Sequence, residues 1–297
     1  MSTNDVDTRS HDVDDQALPT PCSPLVTLRV AARSDRGCVR ANNEDRFLVL
    51  RGDRTTTPIA TNIDAGELKF VPAQTIWALA VADGMGGHAA GEVASTLALT
   101  LTLQFAQQGS RWYVEIGERE AREIVARVES ILASVDRAIA AQASRDSALA
   151  GMGTTLTIGV VRADHLFVYH VGDSRAYLLR QGHLVRITRD QTIAQQLADS
   201  GLISDELVGF HHTRHLLTQA VGRGDVEVEV HHFPLQHGDR LVLSTDGLTD
   251  GVEDSEIERI CGEGDCEQAC QRLLERGLAA GGRDNITVVV ADVDIAP

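Results

Sequence analysis

At 297 residues the chain has room for one large domain or two small ones. Its 43% hydrophobic residues suffice for a packed core, but aromatics are only 4%, so Leu, Val, Ile and Ala must fill it. With 27 Lys and Arg against 43 Asp and Glu the net charge is −16, which argues against binding nucleic acid or an anionic membrane, since both need a basic surface.

Residues 1–25 carry Asp5, Asp7, Asp12, Asp14 and Asp15 against Arg9, followed by Pro19, Pro21 and Pro24. This composition reads as a disordered acidic tail, and it has neither the basic start of a signal peptide nor the Arg enrichment of a transit peptide. A cytoplasmic location is expected. The most apolar stretch, 93–106, is too short to span a bilayer. The five cysteines include no Cys-x-x-Cys and read as reduced, mostly packing residues.

Alternating residues predict a first strand over 25–31, a turn at 33–37 and a second strand over 47–50. A long loop or hairpin, 51–74, leads to the apolar run 76–82, read as a buried strand. Helices are expected over 92–106 and 117–143, the latter from Ile124, Val128, Ile131, Val135 and Ile139 at spacings of three and four. Strands then follow quickly at 154–161, 166–171, 176–179 and 184–187, with turns at Asp164-His165 and Gln181-Gly182. The polar segment 190–224 reads as a flap with a helix near 192–199. It contains His211, His212 and His215, read as a solvated loop despite their zinc-like spacing. Val226, Val228 and Val230 alternate with polar residues as in a half-exposed strand. A buried strand over 241–245, a helix over 267–279 and a buried strand over 286–290 close the chain. Strands in runs, without regular βαβ alternation, predict an α+β fold: antiparallel sheets packed together with helices outside. One domain, 26–297, is expected.

The chemistry gathers at strand ends. Asp83 follows the run 76–82 and enters the glycine-rich turn Gly84-Met85-Gly86-Gly87-His88. A carboxylate there is costly unless a cation or donor compensates it, so Asp83 is a candidate metal ligand or phosphate neighbour. Asp246 follows a buried strand and precedes Gly247, Asp284 precedes the last strand, and Asp45 follows Asn42-Asn43-Glu44 just after Arg40. Acids converging on one sheet edge would repel each other unless cations lay between them, and with no His or Cys among them the donors suit hard ions such as Mg²⁺ or Mn²⁺. A pair of such ions suits in-line displacement at phosphorus by water.

Six motifs occur in order: Arg40-Ala-Asn-Asn-Glu-Asp45, Asp83-Gly-Met-Gly-Gly-His88, Gly151-Met-Gly-Thr-Thr155, Gly172-Asp-Ser-Arg175, Ser244-Thr-Asp-Gly-Leu248 and Arg283-Asp-Asn285. Together they resemble the metal-dependent Ser/Thr protein phosphatases (PPM, type 2C) in their bacterial form, over about residues 26–293. The resemblance implies a central β-sandwich flanked by helix pairs, and hydrolysis of phosphoserine and phosphothreonine in proteins. It implies that Asp83 bridges two Mn²⁺ or Mg²⁺ ions, that the Gly84 carbonyl binds one of them, and that Asp246 and Asp284 complete the other. Asp45 matches the acid near the second ion and Arg40 the arginine that holds the substrate phosphate. The implied partners are phosphorylated proteins, with a Ser/Thr kinase and its substrates among them, and a monomer is expected.

Three departures stand out. Eukaryotic members carry a proton-donating histidine after the Asp-Gly pair, where this chain has Met85. The aspartate that bacterial relatives place before Gly-Met-Gly-Thr-Thr for a third ion aligns with Ala148, which leaves Asp146 as the nearest acid and the third ion open. The 51–74 connection is long and reads as a surface hairpin. Asp173 is expected in a structural ion pair or turn, and His88 in packing at a helix start.

Overall fold

The computed structural model describes residues 26–54, 74–86, 90–108 and 118–296. The acidic tail, most of the 51–74 connection and His88 lie outside the described residues. In chain order the elements are β1 (Val26–Asp35), β2 (Asp45–Arg54), β3 (Gln74–Met85), α1 (Ala90–Gln108), α2 (Glu118–Arg145), β4 (Gly153–Thr154), β5 (Leu156–Arg162), β6 (His165–Val171), β7 (Arg175–Arg180) and β8 (His183–Arg186). Then come α3 (Ile193–Asp199), α4 (Asp205–Val208), β9 (Glu229–Pro234), β10 (Arg240–Ser244), α5 (Asp246–Thr249), α6 (Asp254–Cys261), α7 (Cys266–Ala279) and β11 (Ile286–Ile295).

Two antiparallel sheets form, with strand orders β1-β11-β10-β7-β8 and β2-β3-β5-β6-β9; β4 pairs with the end of β3. Their apolar residues divide into three clusters because successive strand side chains point to opposite faces. Along β11, Val289, Ala291 and Val293 enter the space between the sheets with Leu79 and Val81 of β3. Ile286, Val288 and Val290 face the other way, onto Ile257 of α6 and Leu273 of α7. Ala80 and Ala82 of β3 likewise face outward, beneath Ala94 and Ala98 of α1 and Leu132, Val135 and Ile139 of α2. The result is the expected helix–sheet–sheet–helix layering. Strands buried on both faces read as continuous apolar runs, which is why β3, β10 and β11 are plain in the sequence.

One strand differs from expectation. The alternating valines 226–230 predict a strand, but ladder pairing to β6 begins only at Glu229, opposite His170. Val226 and Val228 still pack against the α1–α2 layer, so their alternation reports burial rather than a ladder.

Candidate metal centre

At one end of the sandwich four aspartates arrive from different elements of both sheets. Asp45 opens β2 directly opposite Asp83 near the end of β3. Asp246 starts α5 immediately after β10, and Asp284 sits in the turn before β11. Asp83, Gly84, Asp246 and Asp284 line a cleft of about 1060 Å³ together with Arg40 and Asp173. Asp45, 1% exposed, lies in the wall behind them.

The sequence motifs act as clamps on this arrangement. The Asp83 carbonyl accepts hydrogen bonds from Thr155 N (2.8 Å) and Thr154 Oγ1 (2.8 Å), and Asp83 N donates to Thr155 Oγ1 (2.9 Å). Thr155 Oγ1 in turn pairs with Ser174 Oγ at 2.7 Å. Asn285 ties down the loop that carries Arg40: its Nδ2 donates to the carbonyls of Arg36 and Asn42, and its Oδ1 accepts from Glu44 N. Arg40 Nη2 reaches Asp284 Oδ2 at 2.5 Å. Gly84 is required by close approach, since a Cβ there would lie 2.0 Å from the Gly91 carbonyl in the first turn of α1.

The acids are buried together without enough compensation. Burial first, then Asp246 and Asp284, push Asp45 up to about 7 against the donated hydrogen bond of Thr245. Burial, Asp250 and Asp284 push Asp246 up to about 6. Asp83 and Asp173 are both held well above the usual carboxylate range by burial and by their acidic neighbours. Asp45 Oδ2 accepts from Thr245 Oγ1 at 2.7 Å, but Asp45 Oδ1 and Asp246 Oδ1 are buried with no hydrogen-bond partner. Orphaned, mutually repelling carboxylate oxygens, with Gly84 lining the same cleft, form a donor set suited to hard divalent cations.

A family model described as Protein phosphatase 2C matches residues 59–286. The chain belongs to the protein phosphatase 2C family. It is 39% identical over 268 residues to the serine/threonine protein phosphatase PstP of Mycobacterium tuberculosis, a match covering 90% of this chain and 45% of that protein. The chain therefore spans about half the length of that relative. It is 32% identical over 265 residues to the serine/threonine phosphatase stp of Listeria monocytogenes, covering 89% of this chain and 95% of that one. Among solved structures it resembles the catalytic domain of PstP in complex with two manganese ions (TM-score 0.70, 38% identity, 91% of this chain and 100% of that chain). It also resembles the Streptococcus agalactiae serine/threonine phosphatase (TM-score 0.73, 27% identity, 90% and 100%).

Within this type 2C fold, some residues sit elsewhere than the sequence suggests. Asp146, the expected nearest acid for a third ion, is exposed and outside the cleft lining; its Oδ1 caps the short 3-10 turn Ser147–Leu149 by accepting from Ala148 N at 2.9 Å. Asp173 lies in the turn between β6 and β7, one of the two expected placements, but makes no ion pair among the described residues, because Arg175 bonds to both oxygens of Asp190, at 3.1 and 2.7 Å. The Asp173 carboxylate is buried at the cleft, facing Asp83 and Asp246. His215 is not merely a solvated loop residue. The polar segment brings it to the cleft, with Nδ1 3.6 Å from Asp250 Oδ2 and 4.0 Å from Asp246 Oδ2. Asp250 itself, four residues after Asp246 and so one helical turn on, was available to sequence reasoning through that spacing.

Proposed function

We propose that this protein hydrolyses phosphoserine and phosphothreonine monoesters in proteins, using divalent cations held by Asp83, the Gly84 carbonyl, Asp246 and Asp284, with Asp45 behind them. The observation that supports this most directly is the convergence of these acids on one cleft with a guanidinium, Arg40, at its rim. Family membership adds to it. Two Mn²⁺ or Mg²⁺ ions bound there would supply a nucleophilic water at neutral pH and Lewis-acid stabilisation of the phosphoryl oxygens.

The remaining work falls to the chain. Arg40 is more than half exposed, and its planar fork matches two phosphoryl oxygens, so a phosphate monoester competes with Asp284 for it. Thr154 and Thr155 fix the Asp83 backbone, and with it the point on the cleft from which the Asp83 carboxylate projects. Met85 has no proton to give, so the leaving serine or threonine oxygen takes its proton from solvent or from a water in the cleft. Phosphoproteins, a Ser/Thr kinase among them, are the substrates this reading implies; cytoplasmic placement and a monomeric state belong to the same reading.

The test is Mn²⁺-dependent phosphate release from phosphothreonine peptides set against release from nucleotides. Turnover of the peptides with chelator-sensitive kinetics is expected. Equal or better turnover of nucleotides would replace this reading with a general phosphoesterase.

A further inference from the structure

Arg223 stands on the wall of the cleft. Its side chain is exposed, and Nη2 makes a 3.6 Å contact with Met85 Sδ, two residues beyond Asp83. Among the described residues it has no carboxylate partner. Arg40, by contrast, is paired with Asp284, while Arg214 and Arg283 also line the cleft. In a chain of net charge −16, an unpaired guanidinium aimed into an acid-lined cleft needs an explanation.

The turn that carries it is built, not loose. Asp136 of α2, 2% exposed, accepts hydrogen bonds at one oxygen from both Gly222 N (2.6 Å) and Gly224 N (3.1 Å), the residues on either side of Arg223. Both glycines hold positive φ, +101° and +96°, and a Cβ on Gly222 would lie 2.6 Å from Ile139 Cγ2. Just before the turn, Val221 exchanges two backbone hydrogen bonds with Thr154, at 2.9 and 3.0 Å. Thr154 is the residue that holds the Asp83 carbonyl. A buried carboxylate, two constrained glycines and a backbone bridge therefore fix the backbone of Arg223 relative to Asp83.

We propose that Arg223 binds a second anionic group on the substrate, a carboxylate or a further phosphate close to the phosphoresidue being hydrolysed, and that Asp136 is its positioning residue. This rests on the phosphatase reading and narrows its substrate class to acidic or multiply phosphorylated segments. The fixed turn supplies specificity because it limits where the guanidinium can reach relative to Asp83, so only an anion close to the reacting phosphate meets it.

The experiment uses the full chain with Mn²⁺ and three phosphothreonine peptides that differ at one flanking position: Ala, Glu or a second phosphothreonine. Mass spectrometry follows loss of phosphate from the common site. The native protein is expected to show a KM about fivefold lower for the two anionic peptides than for the Ala peptide, the size of one partly exposed charge-assisted hydrogen bond. R223Q should bring the three KM values together, R223K should retain most of the preference, and D136A should erode it with no further loss in the R223Q background. A larger effect with phosphothreonine than with Glu identifies the second group as phosphate; an equal effect identifies any nearby anion. Equal KM values for the native protein, or an equal rise for all three peptides in R223Q, would overturn the anion site while leaving the phosphatase reading intact. No turnover of any peptide by the native protein would overturn both.

Discussion

The adjacent strands β10 and β11 carry buried charge at both ends, and the two ends treat it in opposite ways. At the end away from the cleft, Arg240 and Asp292 face each other across the ladder. Arg240 Nε donates to Asp292 Oδ1 at 2.6 Å, its other nitrogens reach the Cys261 and Gly264 carbonyls, and Cys266 N donates to the second Asp292 oxygen. At the cleft end the same strands deliver Asp246 and Asp284 to Asp45 and Asp83, where like charges gather and two oxygens find no donor. Paired burial fixes the register of the strands. Unpaired burial holds repulsion that a bound cation relieves. The difference between structural and functional charge lies in the partners, since both kinds are buried.

The largest expected effect breaks the cleft end. D83N or D246N should lower Mn²⁺-dependent phosphate release by at least about a thousandfold, because each removes a charge the cations need. The folded state should persist in both, as thermal melting would show, since an amide relieves repulsion among the acids. Full activity in either variant would refute the proposed ligands. Breaking the other end should have the reverse signature. R240M leaves the buried Asp292 carboxylate only the exposed Arg29 at 3.3 Å and the Cys266 N–H, and should cost about 3 kcal/mol of stability. R240M/D292L should recover most of that loss in denaturant unfolding, and kcat of the folded fraction should stay near native. A smaller effect belongs to the rim: R40A should lower kcat/KM for phosphopeptides about a hundredfold, about 2.7 kcal/mol of transition-state stabilisation.

The contrast also explains what was legible in the sequence. Strands apolar on both faces announce themselves, so the acids that end them, Asp83, Asp246 and Asp284, are visible from the interruption alone. Asp173 was masked by its neighbour: Gly-Asp-Ser-Arg offers Arg175 as a ready partner, and only the fold reveals that Arg175 is taken by Asp190. His215 depends on the path of the 190–224 segment, which no periodicity encodes. Asp146, the nearest acid in sequence, lies outside the cleft lining, where a local cap two residues away satisfies its carboxylate. The Arg223 turn follows from a contact 86 residues apart, between Asp136 and Gly222, that leaves no mark on either segment.

The subtlest way to sharpen the comparison is through protons. Asp45 at about 7 and Asp246 at about 6 both lie above the usual value of 3.8, so the folded chain holds these protons more tightly than the unfolded chain does. Their contribution to stability is therefore fully present below about pH 4 and is lost as pH rises through the folded values, between about 4 and 7. Other carboxylates act in the opposite direction when they pair with arginine, as Asp190 does with Arg175, so the native profile alone mixes both. The difference between native and D45N isolates the cleft. In chelator, D45N should gain on the native protein as pH rises from 5.5 to 7.5, by several degrees in Tm, at about 2–4 °C per kcal/mol for a chain of this size. Excess Mn²⁺ should cancel or reverse that gain, because cations then take the place of the protons and bind the native acids better. A difference in chelator that stays flat with pH would mean that Asp45 ionises in the folded chain as it does in the unfolded one, its burial and its neighbours offset by donors, and the cleft end would then resemble the Arg240–Asp292 end in having its charge already balanced.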